Sequence, residues 1–155
     1  MSLLIRKARI EDIKGIHSLI KKYAEQGELL PRSLSELYDQ IRDFFVCIDE
    51  EDGCKLLGTC AMHICWEDIA EVRSLAVLPE YQGRGIGTKL VDACLSEAVT
   101  LGIYKLFVLT YKPEFFAKFG FKQINKAVLP HKVWADCLKC VKFPDCDEVA
   151  MILTL

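Results

Sequence analysis

One run of the chain, Gln82, Gly83, Arg84, Gly85, Ile86, Gly87 and Thr88, carries its clearest chemical pattern. Glycines let a backbone turn and let a ligand approach without meeting a Cβ. The run opens a helix, and the first helical turn leaves N–H groups unpaired where the helix dipole favours negative charge. Arg84 and Lys89 add positive charge, so the natural occupant is an anion such as a phosphate. A P-loop needs Gly-Lys-Ser/Thr, whereas Gly87, Thr88 and Lys89 stand in a different order. A dinucleotide fingerprint needs G-x-G-x-x-G directly after its strand, and here Pro79 to Gln82 intervene.

The elements that must position these groups can be read from periodicity. Val72 to Val77 is a short apolar strand, and Pro79 stops it because proline cannot donate to a sheet ladder. Ile86, Leu90, Val91, Cys94, Leu95, Ala98 and Leu101 recur at helical spacing, and Gly102 ends that helix. Upstream, residues 4–9 read as a strand and Glu11 to Ala24 as a helix, with Ile13, Ile16, Leu19, Ile20 and Tyr23 on one face. A second helix starts at Ser33, where Ser33 and Glu36 match a capping box. Phe44 to Asp49 and Lys55 to Trp66 read as strands around an Asp52-Gly53 hairpin signal, in an antiparallel meander. Downstream come a strand over Tyr104 to Leu109, parallel to the one at Val72, and a helix over Pro113 to Phe119 ending at Gly120. Strands at Phe121 to Ile124 and Val149 to Leu153 flank a stretch, Leu129 to Cys140, that includes a helix pattern.

The chain has 155 residues, 52% of them hydrophobic, which supplies a sizeable core for one domain over residues 1–155. Net charge is −2, from 20 basic and 22 acidic residues, against the basic excess of a nucleic-acid binder. No apolar run is long enough to span a bilayer and the N-terminus lacks a signal-peptide core, so no membrane association and a cytoplasmic location are expected. Eight cysteines are then expected to be mostly reduced. Cys47, Cys60, Cys65 and Cys94 sit in apolar runs, where cysteine packs as a small hydrophobe.

Gln82-x-x-Gly85-x-Gly87, following Leu75-x-Val77-x-Pro79, resembles the acetyl-CoA pyrophosphate loop of the GNAT superfamily of N-acetyltransferases. Pro113 to Phe121 resembles that family's second signature, an aromatic helix ending in Gly-Phe. The resemblance implies an α+β, single-domain GNAT fold: a mixed central sheet with helices on both faces. It implies acetyl-CoA as cosubstrate, held by Leu75, Ala76, Val77, Gln82, Gly83, Arg84, Gly85, Ile86, Gly87 and Thr88. The backbone N–H of Leu75 would contact the thioester carbonyl, and a bulge in the strand would free it. Val77 would pair with the pantetheine arm, and Glu71 matches the general base of some members, a solvated strand-start charge being the alternative. The usual acid, a tyrosine four residues before the signature glycine, is Phe116 here. Tyr111 is the stand-in, against a packing role, and a thiol leaves readily as thiolate.

Within the superfamily, Leu30 to Ser33, Glu71 to Val77, Val108 to Thr110, Pro113 to Phe116 and Leu129 to Trp134 resemble short bacterial amino-acid N-acetyltransferases that act as N-acetylglutamate synthases. That implies an amino-acid acceptor, L-glutamate first, met by Arg32, Arg73 and Lys132, each of which also fits an ordinary surface ion pair. Direct attack in a ternary complex is expected, with Cys60 and Cys65 as core thiols rather than nucleophiles. Cys137, Cys140 and Cys146, with His131, have the residue types of a zinc site but irregular spacing. Metal, a redox pair and structural thiols all stand, and no metal ligand is assigned. A homodimer is compatible with the sequence. Alternative functions are acetylation of another amine (a peptide N-terminus, a polyamine or a drug) and a non-catalytic CoA- or zinc-binding module.

Overall fold

The computed structural model describes residues 1–129 and 148–155. Seven strands form one sheet: β1 (Leu3–Lys7), β2 (Phe44–Asp49), β3 (Lys55–Trp66), β4 (Ile69–Val77), β5 (Lys105–Thr110), β6 (Lys122–Ile124) and β7 (Val149–Thr154), in the order β1-β2-β3-β4-β5-β7-β6. The sheet is mixed: β4 and β5 are parallel, while β1–β2, β2–β3, β5–β7 and β6–β7 are antiparallel. Among the described residues, four α-helices accompany it: α1 (Ile13–Glu25), α2 (Leu34–Asp39), α3 (Ile86–Leu101) and α4 (Pro113–Ala117). The α+β class and, among the described residues, the element order expected from the sequence hold; the helix pattern within Leu129 to Cys140 lies, beyond Leu129, outside the described residues. Among the described residues, no helix is long and apolar enough to cross a membrane.

Contacts group the chain into two compact units, Met1–Met62 with Val72–Glu97, and His63–Glu71 with Ala98–Leu155. In the first, α1 buries Ile13, Ile16 and Ile20 against Leu37 of α2 and Phe44, Val46 and Ile48 of β2. The apolar face of the Glu11 to Ala24 pattern is therefore the core face, although the α-helix proper starts at Ile13, after a 3-10 turn over Ile10–Asp12. The capping box at α2 is present: the Ser33 hydroxyl accepts from the Glu36 N–H at 3.1 Å, and a Glu36 carboxylate oxygen accepts from the Ser33 N–H at 3.3 Å. The β2–β3 hairpin turns one residue later than the Asp52-Gly53 signal. Gly53 and Cys54 both have positive φ, 61° and 59°, and the Lys55 N–H donates to the Asp52 carbonyl at 3.1 Å. Two successive positive-φ residues make this a type I′ geometry, whose twist matches the strands.

In the second unit, Cys65, Ile69, Phe107, Leu129 and Ala150 form a core cluster. The pairing of β4 with β5 runs from Ile69↔Lys105 to Glu71↔Phe107, so β4 begins three residues before the Val72 read from the sequence. Here α3 ends in a Schellman motif. Gly102, at φ 80°, donates to the Val99 carbonyl, and Ile103 donates to that of Ala98 at 2.8 Å. Phe116 of α4 is buried and edge-on to Phe115 and Phe121, at centroid distances of 5.0 and 5.5 Å. Phe116 therefore packs at the position where the resemblance implies a tyrosine hydroxyl.

Candidate functional site

The glycine run takes the conformation its composition calls for. Gly83 and Gly85 lie at φ 78° and 79°, and a Cβ built on either would meet nothing within 4 Å. The space above the loop is therefore open, as a cradle for a bulky group requires. The Gly85 carbonyl accepts the N–H of Lys89 at 3.1 Å. The preceding N–H groups of Ile86, Gly87 and Thr88 thus open α3 with no intrahelical acceptor. Ile86 and Leu90 of α3 are fully buried, whereas Gln82, Gly83, Arg84, Gly85, Thr88 and Lys89 are exposed. Arg84 lies over the Tyr81 ring, its guanidinium carbon 5.1 Å from the centroid, and the Lys55 ammonium lies 5.3 Å from the same ring. Lys55 is a cation beside the loop that sequence spacing did not single out, because a hairpin separates it from the run.

The loop rests on a close approach of backbones. A Cβ on Gly58 of β3 would come within 3.1 Å of the Ala76 carbonyl oxygen and of Leu90 Cδ1, and 3.2 Å of Ile86 Cγ2. Glycine at 58 lets the first turns of α3 settle on β3 and β4.

Leu75, Ala76 and Val77 lie in the last part of β4, directly before the loop. Just ahead of them Ser74 is buried and has φ 58°, in the left-handed region that non-glycine residues avoid. That is a local distortion inside the strand, at the place where a bulge was expected.

The two arginines find partners at α2 and its C-terminal end. Arg32, 8% exposed and one residue ahead of the Ser33 cap, has its guanidinium 3.6 Å from the Glu36 carboxylate. Arg73 of β4 donates from Nη2 to Gln40 Oε1 at 2.9 Å. Glu36 and Gln40 are four residues apart, and the Gln40 N–H donates to the Glu36 carbonyl at 2.9 Å. They therefore stand one helical turn apart, about 6 Å along the axis. Two arginines 41 positions apart in the chain thus have partners four residues apart, Glu36 in α2 and Gln40 directly after it. Gln40 is a site candidate the sequence reading missed, since nothing local marks a glutamine at a helix end as the partner of a distant strand. An open concavity of about 580 Å³ lined by Ser35, Glu36, Tyr38 and Asp39 lies on the same helix.

In the other unit, Glu71 is buried, 9% exposed, and stands in register with Phe107. Tyr111 is half-buried just beyond β5, where the Thr110 hydroxyl accepts the Lys112 N–H at 2.8 Å. It lies four residues past Phe107, about 13 Å along the strand from the level of Glu71. Lys132, His131, Cys137, Cys140 and Cys146 lie outside the described residues.

The buried cysteines behave as core. Cys60 is fully buried; a side-chain hydrogen bond with Cys94 and then burial raise its pKa well above the ordinary thiol value. Cys65 donates to the His63 carbonyl at 3.6 Å and packs among apolar side chains. A thiol held in its neutral form is a poor nucleophile. Among the described residues, no cluster of His, Cys, Asp and Glu could hold a metal ion.

The acetyltransferase (GNAT) family profile matches residues 13–121. An uncharacterized N-acetyltransferase of Chlorobaculum tepidum is 40% identical over 151 residues, 97% of this chain and 96% of that protein. The amino-acid acetyltransferase of Mycobacterium tuberculosis is 38% identical over 122 residues, 79% of this chain and 70% of that protein. The N-acetylglutamate synthase of Neisseria gonorrhoeae, solved with coenzyme A and N-acetyl-glutamate, superposes with a TM-score of 0.88 at 30% identity. That match covers 100% of this chain but 35% of the synthase, so the chain spans about a third of that enzyme's length.

Proposed function

Because the chain belongs to the GNAT acetyltransferase family and is an acetyl-CoA-dependent N-acetyltransferase, we propose that its acceptor is the α-amino group of L-glutamate. The observation that carries this reading is the anchoring of Arg32 to Glu36 of α2 and of Arg73 to Gln40, the residue that follows α2. A dianionic amino acid must leave water with two negative charges, and an uncompensated buried charge is costly. Two guanidinium groups held by one helix offer each carboxylate a charged hydrogen-bond partner. The amino-acid acetyltransferase and N-acetylglutamate synthase relatives support the same substrate class.

In this reading the glycine loop and the first turn of α3 hold the pyrophosphate of acetyl-CoA, with Arg84 and Lys89 as its positive neighbours. The distortion at Ser74 turns the Leu75 N–H toward the thioester oxygen, where charge builds up during attack, and Val77 pairs with the pantetheine arm. Glu71 receives the proton of the amine, directly or through a water. The amine nitrogen bonds to the acetyl carbon, the carbon–sulfur bond breaks, and the electron pair leaves on the thiolate. Tyr111 is the candidate to return a proton to that sulfur. Transfer is direct, in keeping with Cys60 and Cys65 as buried core thiols.

The test is thiol release from acetyl-CoA across the common amino acids and a set of diamines. Glutamate should give the highest kcat/KM. The concavity lined by Glu36 and Asp39 favours a second reading, a cationic amine, and a preference for a diamine would select it and remove glutamate.

A further inference from the structure

Tyr23 lies on α1, far in sequence from every residue assigned to the site, yet its hydroxyl joins two parts of it. The hydroxyl donates to the Val77 carbonyl at 2.5 Å, and the Gln82 side-chain amide donates to the same oxygen at 2.6 Å. Val77 is the last residue of β4 and Gln82 the first of the glycine run. Between them lies a single 3-10 turn, Pro79–Tyr81, held by the Leu78 N–H on the Leu57 carbonyl at 2.8 Å and the Tyr81 N–H on that of Leu78 at 2.9 Å. The ring is buried with Leu19 and Ala76 and packed by Leu29, Leu56 and Leu78. Burial raises the phenol's pKa above its ordinary value, so the hydroxyl keeps the proton that it donates.

We propose that Tyr23 is a positioning residue for acetyl-CoA, fixing where the glycine loop leaves the strand by bridging the Val77 carbonyl and the Gln82 side chain. The inference rests on the reading of the loop as the pyrophosphate site. Gly83 and Gly85 carry more backbone freedom than other residues, so the loop itself is poorly constrained. A ligand that orders it loses affinity accordingly, and a clamp at its origin reduces that loss. The bridge also occupies the Val77 carbonyl, leaving the Val77 N–H as the group through which the pantetheine arm pairs there.

Tyr23→Phe removes the hydroxyl and keeps the ring. The Kd for CoA and the KM for acetyl-CoA should rise about 3- to 30-fold, the range expected for one or two neutral hydrogen bonds. The kcat and the KM for the amine should stay within about twofold, and Tm should fall by less than about 4 °C. Gln82→Met, which removes the amide donor at nearly constant length, should lose CoA affinity by at least as much, and the double variant should bind no worse than the weaker single one. Unchanged CoA affinity in Tyr23→Phe, additive losses in the double variant, or equal losses for CoA and amine would overturn the inference. Gly85→Glu, measured alongside, separates the two levels. If it abolishes CoA binding while Tyr23→Phe binds normally, only the clamp fails. If it binds normally, the loop reading fails and the clamp with it.

Discussion

In the proposed function, the glycine run and the arginine pair solve the same problem, holding negative charge, by opposite means. The run from Gly83 to Thr88 uses main-chain N–H groups, so the side chains matter mostly by being absent: a Cβ at 83 or 85 would meet open space where the ligand must sit. The pair at Arg32 and Arg73 uses long side chains, one steered by Glu36 of α2 and the other by Gln40 at the end of α2. A backbone site is encoded within a few consecutive residues. A side-chain site is encoded in contacts between residues tens of positions apart. The first should be insensitive to most substitutions and ruined by bulk or negative charge, and the second should respond to charge, fork geometry and the integrity of α2.

The largest effect expected is at the backbone site. Gly85→Glu puts a carboxylate where phosphate charge belongs and a side chain at φ 79°. Like charges brought together cost several kcal/mol, so CoA affinity should drop on the order of 100-fold or more. Titration calorimetry on the folded variant measures it, and near-normal affinity would end the reading of this loop as a phosphate cradle.

Next comes Arg73→Ala. A charged hydrogen bond contributes roughly 1.5–3 kcal/mol, which predicts about a 10- to 150-fold loss in kcat/KM for glutamate with CoA affinity unchanged. Arg73→Lys keeps the charge but loses the fork that meets both Gln40 and a carboxylate, and should recover little of the loss. Steady-state kinetics with each substrate varied in turn decides this. A Lys variant as active as the parent would mean that Arg73 supplies charge alone.

A smaller effect tests what lies beneath the loop. Gly58→Ala inserts a methyl group within 3.1 Å of the Ala76 carbonyl and of Leu90. Overpacking of this kind costs about 1–3 kcal/mol, which lowers Tm by about 3 to 10 °C in a chain of this size. Moving the start of α3 should weaken CoA binding and spare the glutamate KM. Thermal melting and CoA titration of the same sample would show whether the two losses travel together.

The contrast between the two regions also explains what could be read in advance. The glycine run, the capping box at Ser33, the cap at Gly102 and the apolar face of α1 are all short-range patterns, and each appears where its residues indicated. The added residues Ile69 to Glu71 of β4 escaped notice because their strand state comes from pairing with Lys105 to Phe107, which no local spacing announces. The hairpin turn moved by one residue because Cys54 accepts a positive φ that its residue type does not favour. Tyr23 was legible as a core-face residue of α1, but its hydroxyl's partners are 54 and 59 positions away. Gln40 pairs with Arg73 across 33 positions. For the same reason the arginines were legible by type, while the helix that gathers them was not legible as their scaffold.

The smallest effect expected sharpens the comparison most, because it touches no charge and no ligand contact. Ser33→Ala removes the hydroxyl that accepts the Glu36 N–H and leaves the helix without its side-chain cap. Loss of an N-cap costs about 0.5–2 kcal/mol. Glu36 is also the carboxylate beside Arg32, so fraying the first turn of α2 loosens the anchor of one arginine while Gln40, at the far end, still holds the other. The glutamate KM should rise about 2- to 5-fold, the scale of one weakened neutral hydrogen bond. CoA affinity should not change, since neither the loop nor Gly58 rests on this cap. Parallel measurement of the glutamate KM, the CoA Kd and Tm makes the outcome decisive. A drop in Tm with an unaltered glutamate KM would show that α2 stabilises the chain without orienting Arg32. A matching change in CoA affinity would show that the two ways of holding charge are not independent.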